Sequence, residues 1–185
     1  MPKYNIRINN DNNLLNVKIK LRKEVVDLVD SPRVLDCYAG EGIIWKEIKK
    51  AEQKDISVFS IDRVGKYRAD WVGNNINFLR TKDLSQFNII DLDAWGSPVK
   101  QIEVLLKRKY TGYVVVTFIS TIAINPDSSL CKSYGLSHEI VKESPAIVGG
   151  KIFKMFFDFL AKNRIKEIRV CGTAKKKYLW FFLCN

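Results

Sequence analysis

The sequence predicts an α/β protein: a doubly wound, mostly parallel seven-stranded sheet that ends in an antiparallel β-hairpin. Three observations carry that prediction. From residue 33 onward, short β-branched runs alternate with segments of helical periodicity. One run, Tyr113-Val114-Val115-Val116-Thr117-Phe118-Ile119, is apolar without alternation, as in a strand covered on both faces. The last two apolar runs are separated only by Gly172-Thr173-Ala174-Lys175-Lys176-Lys177, too short a link for a parallel crossover.

The elements follow in order. Residues 1–32 read as an N-terminal extension: the run Asn9-Asn10-Asp11-Asn12-Asn13 as a turn, 17–22 as a strand because Val17, Ile19 and Leu21 alternate with Lys18, Lys20 and Arg22, and Val25, Val26, Leu28 and Val29 as a short helix. Strands are predicted at 33–38, 57–62, 69–72, 87–92 and 113–119, and helices at 43–51, 75–84 and 99–107. Residues 120–148 read as irregular. A helix over 150–162 puts Ile152, Phe153, Phe156, Phe157 and Leu160 on one face, and strands at 165–171 and 178–184 close the chain.

At 185 residues the chain is sized for a single domain, and 46% hydrophobic with 28% charged residues argues against a wholly disordered or fibrous protein. Thirty-one Lys and Arg against 20 Asp and Glu leave a net charge of +11. That points to a polyanionic partner, or simply to a lysine-rich solvated surface. Basic clusters at Lys46-Lys49-Lys50, Lys107-Arg108-Lys109 and Lys175-Lys176-Lys177 are the candidate phosphate contacts. The four cysteines form no CxxC pair and His138 is the only histidine, so no metal site and no disulfide framework is expected. No apolar run reaches the ~20 residues of a membrane span, and the first residues lack a signal peptide's apolar stretch. A cytoplasmic protein without membrane contact is expected; oligomeric state is not indicated.

Three constellations could carry chemistry. Asp36-Cys37-Tyr38-Ala39-Gly40-Glu41-Gly42 ends a strand in an acid and opens a helix through two glycines, which suits close approach of a ligand to free N–H groups or simply turns the chain. Trp45 stands where a dinucleotide fingerprint has its third glycine. Asp62 ends the second strand, where a carboxylate accepts from both hydroxyls of a ribose or sits as a solvated turn residue. Asn74 is a weaker third member, either an adenine ligand or a helix cap. Asp91-Leu92-Asp93-Ala94-Trp95-Gly96-Ser97-Pro98 follows the fourth strand. There Asp93 suits an exocyclic amine and Trp95 a planar ring, or else Trp95 is core and Asp93 a cap.

Over residues 33–185 the order of these features resembles class I S-adenosylmethionine-dependent methyltransferases: DxxAGxG after the first strand, an acid after the second, an amine-binding motif after the fourth, and a terminal hairpin. The loop after the fourth strand is similar to the DPFGSP motif of tRNA guanine-N2 dimethyltransferases and, more distantly, to the (D/N)PP(Y/F/W) motif of amino-methyltransferases. The resemblance implies an S-adenosyl-L-methionine cofactor. It implies cofactor contacts at Asp36, Tyr38, Ala39, Gly40, Gly42, Asp62, Arg63, Asn74 and Asp91, with Asp91 also the fallback acid. Asp93, the Ala94 carbonyl and Trp95 fall at the target amine, and RNA is favoured over DNA as partner, the alternatives being a DNA or small-molecule methyltransferase or a non-catalytic nucleic-acid-binding relative. Two departures stand out: Ala94 replaces the family's proline, and no separate carboxyl-terminal substrate domain is expected from the pattern of these residues.

Overall fold

The computed structural model describes residues 14–94, 96–119, 128–143, 151–165, 168–173 and 176–184. Seven strands form one sheet: β1 (Arg33–Asp36), β2 (Ser57–Asp62), β3 (Trp71–Val72), β4 (Ile89–Leu92), β5 (Gly112–Ile119), β6 (Ile168–Gly172) and β7 (Lys176–Leu183), in the order β3-β2-β1-β4-β5-β7-β6. The first five run parallel. β7 pairs antiparallel with β5 from Gly112↔Leu183 to Ile119↔Lys176, and β6 closes the hairpin on β7. The predicted doubly wound sheet with a terminal hairpin is therefore the fold observed. Its strand order reverses between β1 and β4, and in open α/β sheets ligands bind outside the carboxyl ends of the strands at such a switch point.

Successive side chains along the strands divide between two cores. Val34, Ile89, Val115 and Tyr178 pack against α1 (Leu15–Asp27) and α2 (Ile43–Ala51). Leu35, Ile90, Val114, Val116 and Phe118 pack against α3 (Asn75–Thr81), α4 (Val99–Lys107) and α7 (Ile152–Lys162). Leu130 and Cys131 of α5 (Ser128–Ser133) and Val141 of α6 (His138–Glu143) join that second core. In α7 the buried stripe is Ile152, Met155, Phe156, Phe159 and Leu160. Phe153 and Phe157, expected on that face, are only half-buried and flank the core, while Phe156 stacks on Phe118 at 4.5 Å between ring centroids. No helix among the described residues is long and apolar enough to cross a membrane.

The N-terminal segment corrects the sequence reading. Residues 17–22 belong to α1 and not to a strand, since Leu21, Arg22, Val25 and Val26 are buried at helical spacing. Lys54 Nζ closes the carboxyl end of α1 with hydrogen bonds to the carbonyls of Val26 and Val29, both 3.0 Å. Between β2 and β3 stands only one 3-10 turn, Gly65–Tyr67. The predicted hairpin strands also shift slightly: β6 begins at Ile168 and β7 at Lys176, the register set by the ladder to β5.

Candidate active site

The carboxyl ends of β1, β2 and β4 are neighbours, so residues far apart in sequence meet on one edge. After β1 the chain turns tightly. Tyr38 N–H donates to Asp36 Oδ1 (3.2 Å), Ala39 N–H to the Ile61 carbonyl (3.0 Å), and Gly42 N–H to the Ala39 carbonyl (2.7 Å). Gly40 and Gly42 adopt φ of +50° and +68°, the left-handed region that favours glycine, and Gly42 caps α2. Gly40 N–H donates to Asp62 Oδ2 at 2.8 Å, and the other oxygen of that carboxylate accepts from Val64 N–H at 2.8 Å. The glycine turn and the acid after β2 are thus bonded to each other. Arg63, next in the chain, is exposed.

Beneath the turn lies a network that sequence reasoning did not single out. Asn75 Nδ2 donates to the Cys37 carbonyl (2.9 Å), and Gln101 Nε2 donates to Asn75 Oδ1 (3.2 Å) and to the Tyr38 hydroxyl. Burial pushes the Tyr38 phenol up to about 12, so it stays a neutral hydroxyl bridging α3 and α4. Asn74, exposed, uses its Oδ1 to cap α3 through Ile76 N–H at 2.9 Å.

The acids after β4 are held from α1. Arg22, fully buried, binds Asp91 with both arms, Nε to Oδ2 at 2.6 Å and Nη2 to Oδ1 at 2.7 Å, while the Trp45 indole donates to Asp91 Oδ2 at 2.9 Å. Burial works against the Arg22 charge, but Asp91 and Asp93 outweigh it and hold the guanidinium protonated. Asp91, expected beside the cofactor, is buried and engaged by the protein itself. The Trp45 indole thus makes a specific contact from the slot where a third glycine would leave only backbone.

Asp93 stands where the chain bends sharply, Ala94 N–H returning to the Leu92 carbonyl at 2.7 Å. Its Oδ2 accepts from Lys18 Nζ at 2.8 Å, its Oδ1 lies 3.8 Å from Arg22 Nη2, and that oxygen has no hydrogen-bond partner. Burial opposes the Asp93 charge, yet Arg22 and Lys18 prevail and hold its carboxyl below the usual range. The buried Thr117 hydroxyl is near enough to favour the carboxylate but closes no hydrogen bond. Asp36, with no cation bonded to it, moves the other way: burial, with Asp91 nearby, raises its carboxyl well above normal. Ala94 is buried, and Trp95 lies outside the described residues.

No protein-family model and no curated protein matches the sequence. Solved structures do. The plantazolicin methyltransferase BamL, in complex with a triazolic desmethylPZN analog and SAH, aligns with a TM-score of 0.58 at 11% identity over 93% of this chain and 85% of its own. A SAM-dependent methyltransferase from Archaeoglobus fulgidus gives 0.52 at 14% identity over 90% and 93%. The O-methyltransferase TomG from Streptomyces achromogenes, in complex with SAM, gives 0.52 at 16% identity over 91% and 79%. The chain has the class I methyltransferase fold. At such identities the likeness is one of architecture. Within the methyltransferase fold of this chain, Gly40 and Asp62 are joined directly, and Asp36, Asp91 and Asp93 form one cluster beside them.

Proposed function

We propose that the protein transfers a methyl group from S-adenosyl-L-methionine to an exocyclic amine of a nucleobase, with guanine in RNA as the favoured acceptor. The single observation that carries the reading is the 2.8 Å bond from Gly40 N–H to Asp62, which ties a glycine cradle to a ribose-type acid on the edge that also carries Asp93. The residues present fit the cofactor. A Cβ at Gly40 would meet nothing within 4 Å, so the turn opens onto free space. Each Asp62 oxygen accepts one backbone N–H and retains lone-pair capacity for a ribose hydroxyl. Asn74 keeps its amide N–H groups for an adenine ring nitrogen, and Tyr38, Ala39 and Gly42 shape the turn around the methionine end, with Asp36 beneath it.

Bound there, the cofactor supplies a methyl carbon made electrophilic by a sulfonium, and the chain's task is to align a nitrogen with it. An aromatic amine shares its lone pair with the ring and is a weak nucleophile. Asp93, accepting one N–H, draws electron density back to the nitrogen, and the Ala94 carbonyl takes the second N–H. The nitrogen forms its bond to carbon as carbon's bond to sulfur breaks. The alkylated nitrogen is then strongly acidic, so even a carboxylate of low basicity such as Asp93 can pass its proton to solvent.

Titration calorimetry with S-adenosyl-L-methionine, then transfer of radiolabelled methyl to total RNA, DNA and protein, tests this reading. Saturable binding and label in RNA are expected; label in DNA or in small molecules would move the acceptor class, and absence of binding would overturn the proposal. Asp93→Ala is expected to abolish transfer with cofactor affinity kept, and full retained activity would remove Asp93 from its role.

A further inference from the structure

Helix α1 brings to the acceptor edge a group that the reading above does not use. Lys18 Nζ bonds Asp93 Oδ2, and among the described residues its other N–H bonds have no protein partner. Beside it, Asp93 Oδ1 is buried and without a hydrogen bond, and Oδ2 is the oxygen that Lys18 meets. The two side chains are 19% and 14% exposed, so the pair lies at the rim and not in the core. As a stabilising device it is modest: at this burial the cost of desolvating both charges offsets much of their attraction, and a long side chain loses rotamer freedom when held in one place. The anchoring of α1 is already supplied by the buried Arg22 and Asp91.

The pair has two chemical consequences. Lys18 and Arg22 offset the charges of Asp91 and Asp93, so this pair of acids carries no excess negative charge to attract a protonated amine, which also lacks the lone pair that methylation needs. What the rim offers is a donor beside an acceptor: ammonium N–H from Lys18 next to the part-exposed Asp93 carboxylate, whose Oδ2 accepts from Lys18 and keeps a lone pair while Oδ1 is buried.

We propose that Lys18 is a specificity-determining residue of the acceptor site, pairing with Asp93 to select a neutral planar amine whose N–H lies beside a hydrogen-bond acceptor. The edges of guanine, adenine and cytosine have that pattern; aliphatic amines and isolated hydroxyls do not. The inference rests on Asp93 being the acceptor-side group of a methyltransferase.

The test compares wild type, Lys18→Met and Lys18→Arg in methyl transfer to the nucleic-acid fraction that wild type labels, with digestion of the product to nucleosides. Lys18→Met is expected to lower kcat/KM about tenfold, the scale of one lost hydrogen bond, through KM more than kcat and with cofactor affinity unchanged. Lys18→Arg is expected to recover most of it. Because Lys18 favours the Asp93 carboxylate, its removal raises that carboxyl, and the acidic limb of the kcat/KM profile should move to higher pH. The methyl should be found on an exocyclic amine. Wild-type kcat/KM and an unmoved acidic limb in folded Lys18→Met, a gain in activity, failure of Lys18→Arg to rescue a lost one, or label on a ribose hydroxyl would each overturn the inference. Wild type that binds no S-adenosyl-L-methionine or labels nothing would instead remove the methyltransferase reading, and this inference with it.

Discussion

Asp36 is the residue at which the site's electrostatics are most exposed to experiment. Three carboxylates, Asp36, Asp91 and Asp93, share one edge with two cations, Arg22 and Lys18, and burial beside Asp91 raises the carboxyl of Asp36. Its folded-state value is raised above the unfolded carboxylate value of about 3.9, so the folded protein binds the Asp36 proton more tightly than the unfolded chain. Stability is therefore greatest below the unfolded value and falls as pH rises toward the folded one. Asp36→Asn keeps the oxygen that accepts Tyr38 N–H and removes the titration. Thermal unfolding of the variant should lose this pH dependence, its advantage over wild type growing from about pH 4 upward; a gap independent of pH would contradict the assignment. The glycines and Asp62 were legible in the sequence because their roles are local, set by a strand end and a turn. Arg22 and Lys18 were not, since their partners lie 69 and 75 positions away and no spacing within 17–22 announces them. Asn75 and Gln101 gave no signal either, being single amides inside ordinary helix patterns.

At the scale of elements, the parallel strands and the helices between them were readable because each buries a face with its own period. Helix α2 and helix α4 coincide with their predicted spans. Helix α1 was misread for a specific reason: Lys18 and Arg22 were placed with the solvent-facing residues of an alternating strand, whereas at i and i+4 of a helix they share one side and both meet acids. A buried guanidinium with two arms on a carboxylate makes α1 depend on that pair. Arg22→Met is expected to destabilise the fold by about 3–5 kcal/mol by leaving Asp91 charged and unpaired. Adding Asp91→Asn should restore part of the loss. Urea unfolding measures both, and a single-variant cost below 1 kcal/mol would show that α1 is held by its apolar contacts alone.

Across the whole molecule, topology sorts the basic clusters that composition could only count. Helices after parallel strands run back along the sheet, so Lys49 and Lys50 at the end of α2 and Lys107, Arg108 and Lys109 at the end of α4 lie on the edge opposite the site. Two of these cations already have protein partners: Lys50 pairs with Glu47 at 2.7 Å, and Arg108 binds the carbonyls of Arg80 and Lys82. The hairpin is different. Lys176 is in register with Ile119 at the carboxyl end of β5, which puts the start of β7 on the site's own edge. If tRNA is the ligand, Lys176→Glu with Lys177→Glu should weaken filter binding and flatten its salt dependence by about one to two phosphate contacts. Lys107→Glu with Lys109→Glu should change neither. Equal effects from both pairs would indicate diffuse attraction without a defined track.

The Arg22–Asp91 contact also bears on how the chain is made. Its cationic half is synthesised first and its anionic half 69 residues later, so a nascent chain on the ribosome carries a guanidinium destined for the interior with no counter-ion until β4 has emerged from the tunnel. The contact that holds α1 on the candidate site's edge therefore has to await synthesis of β4.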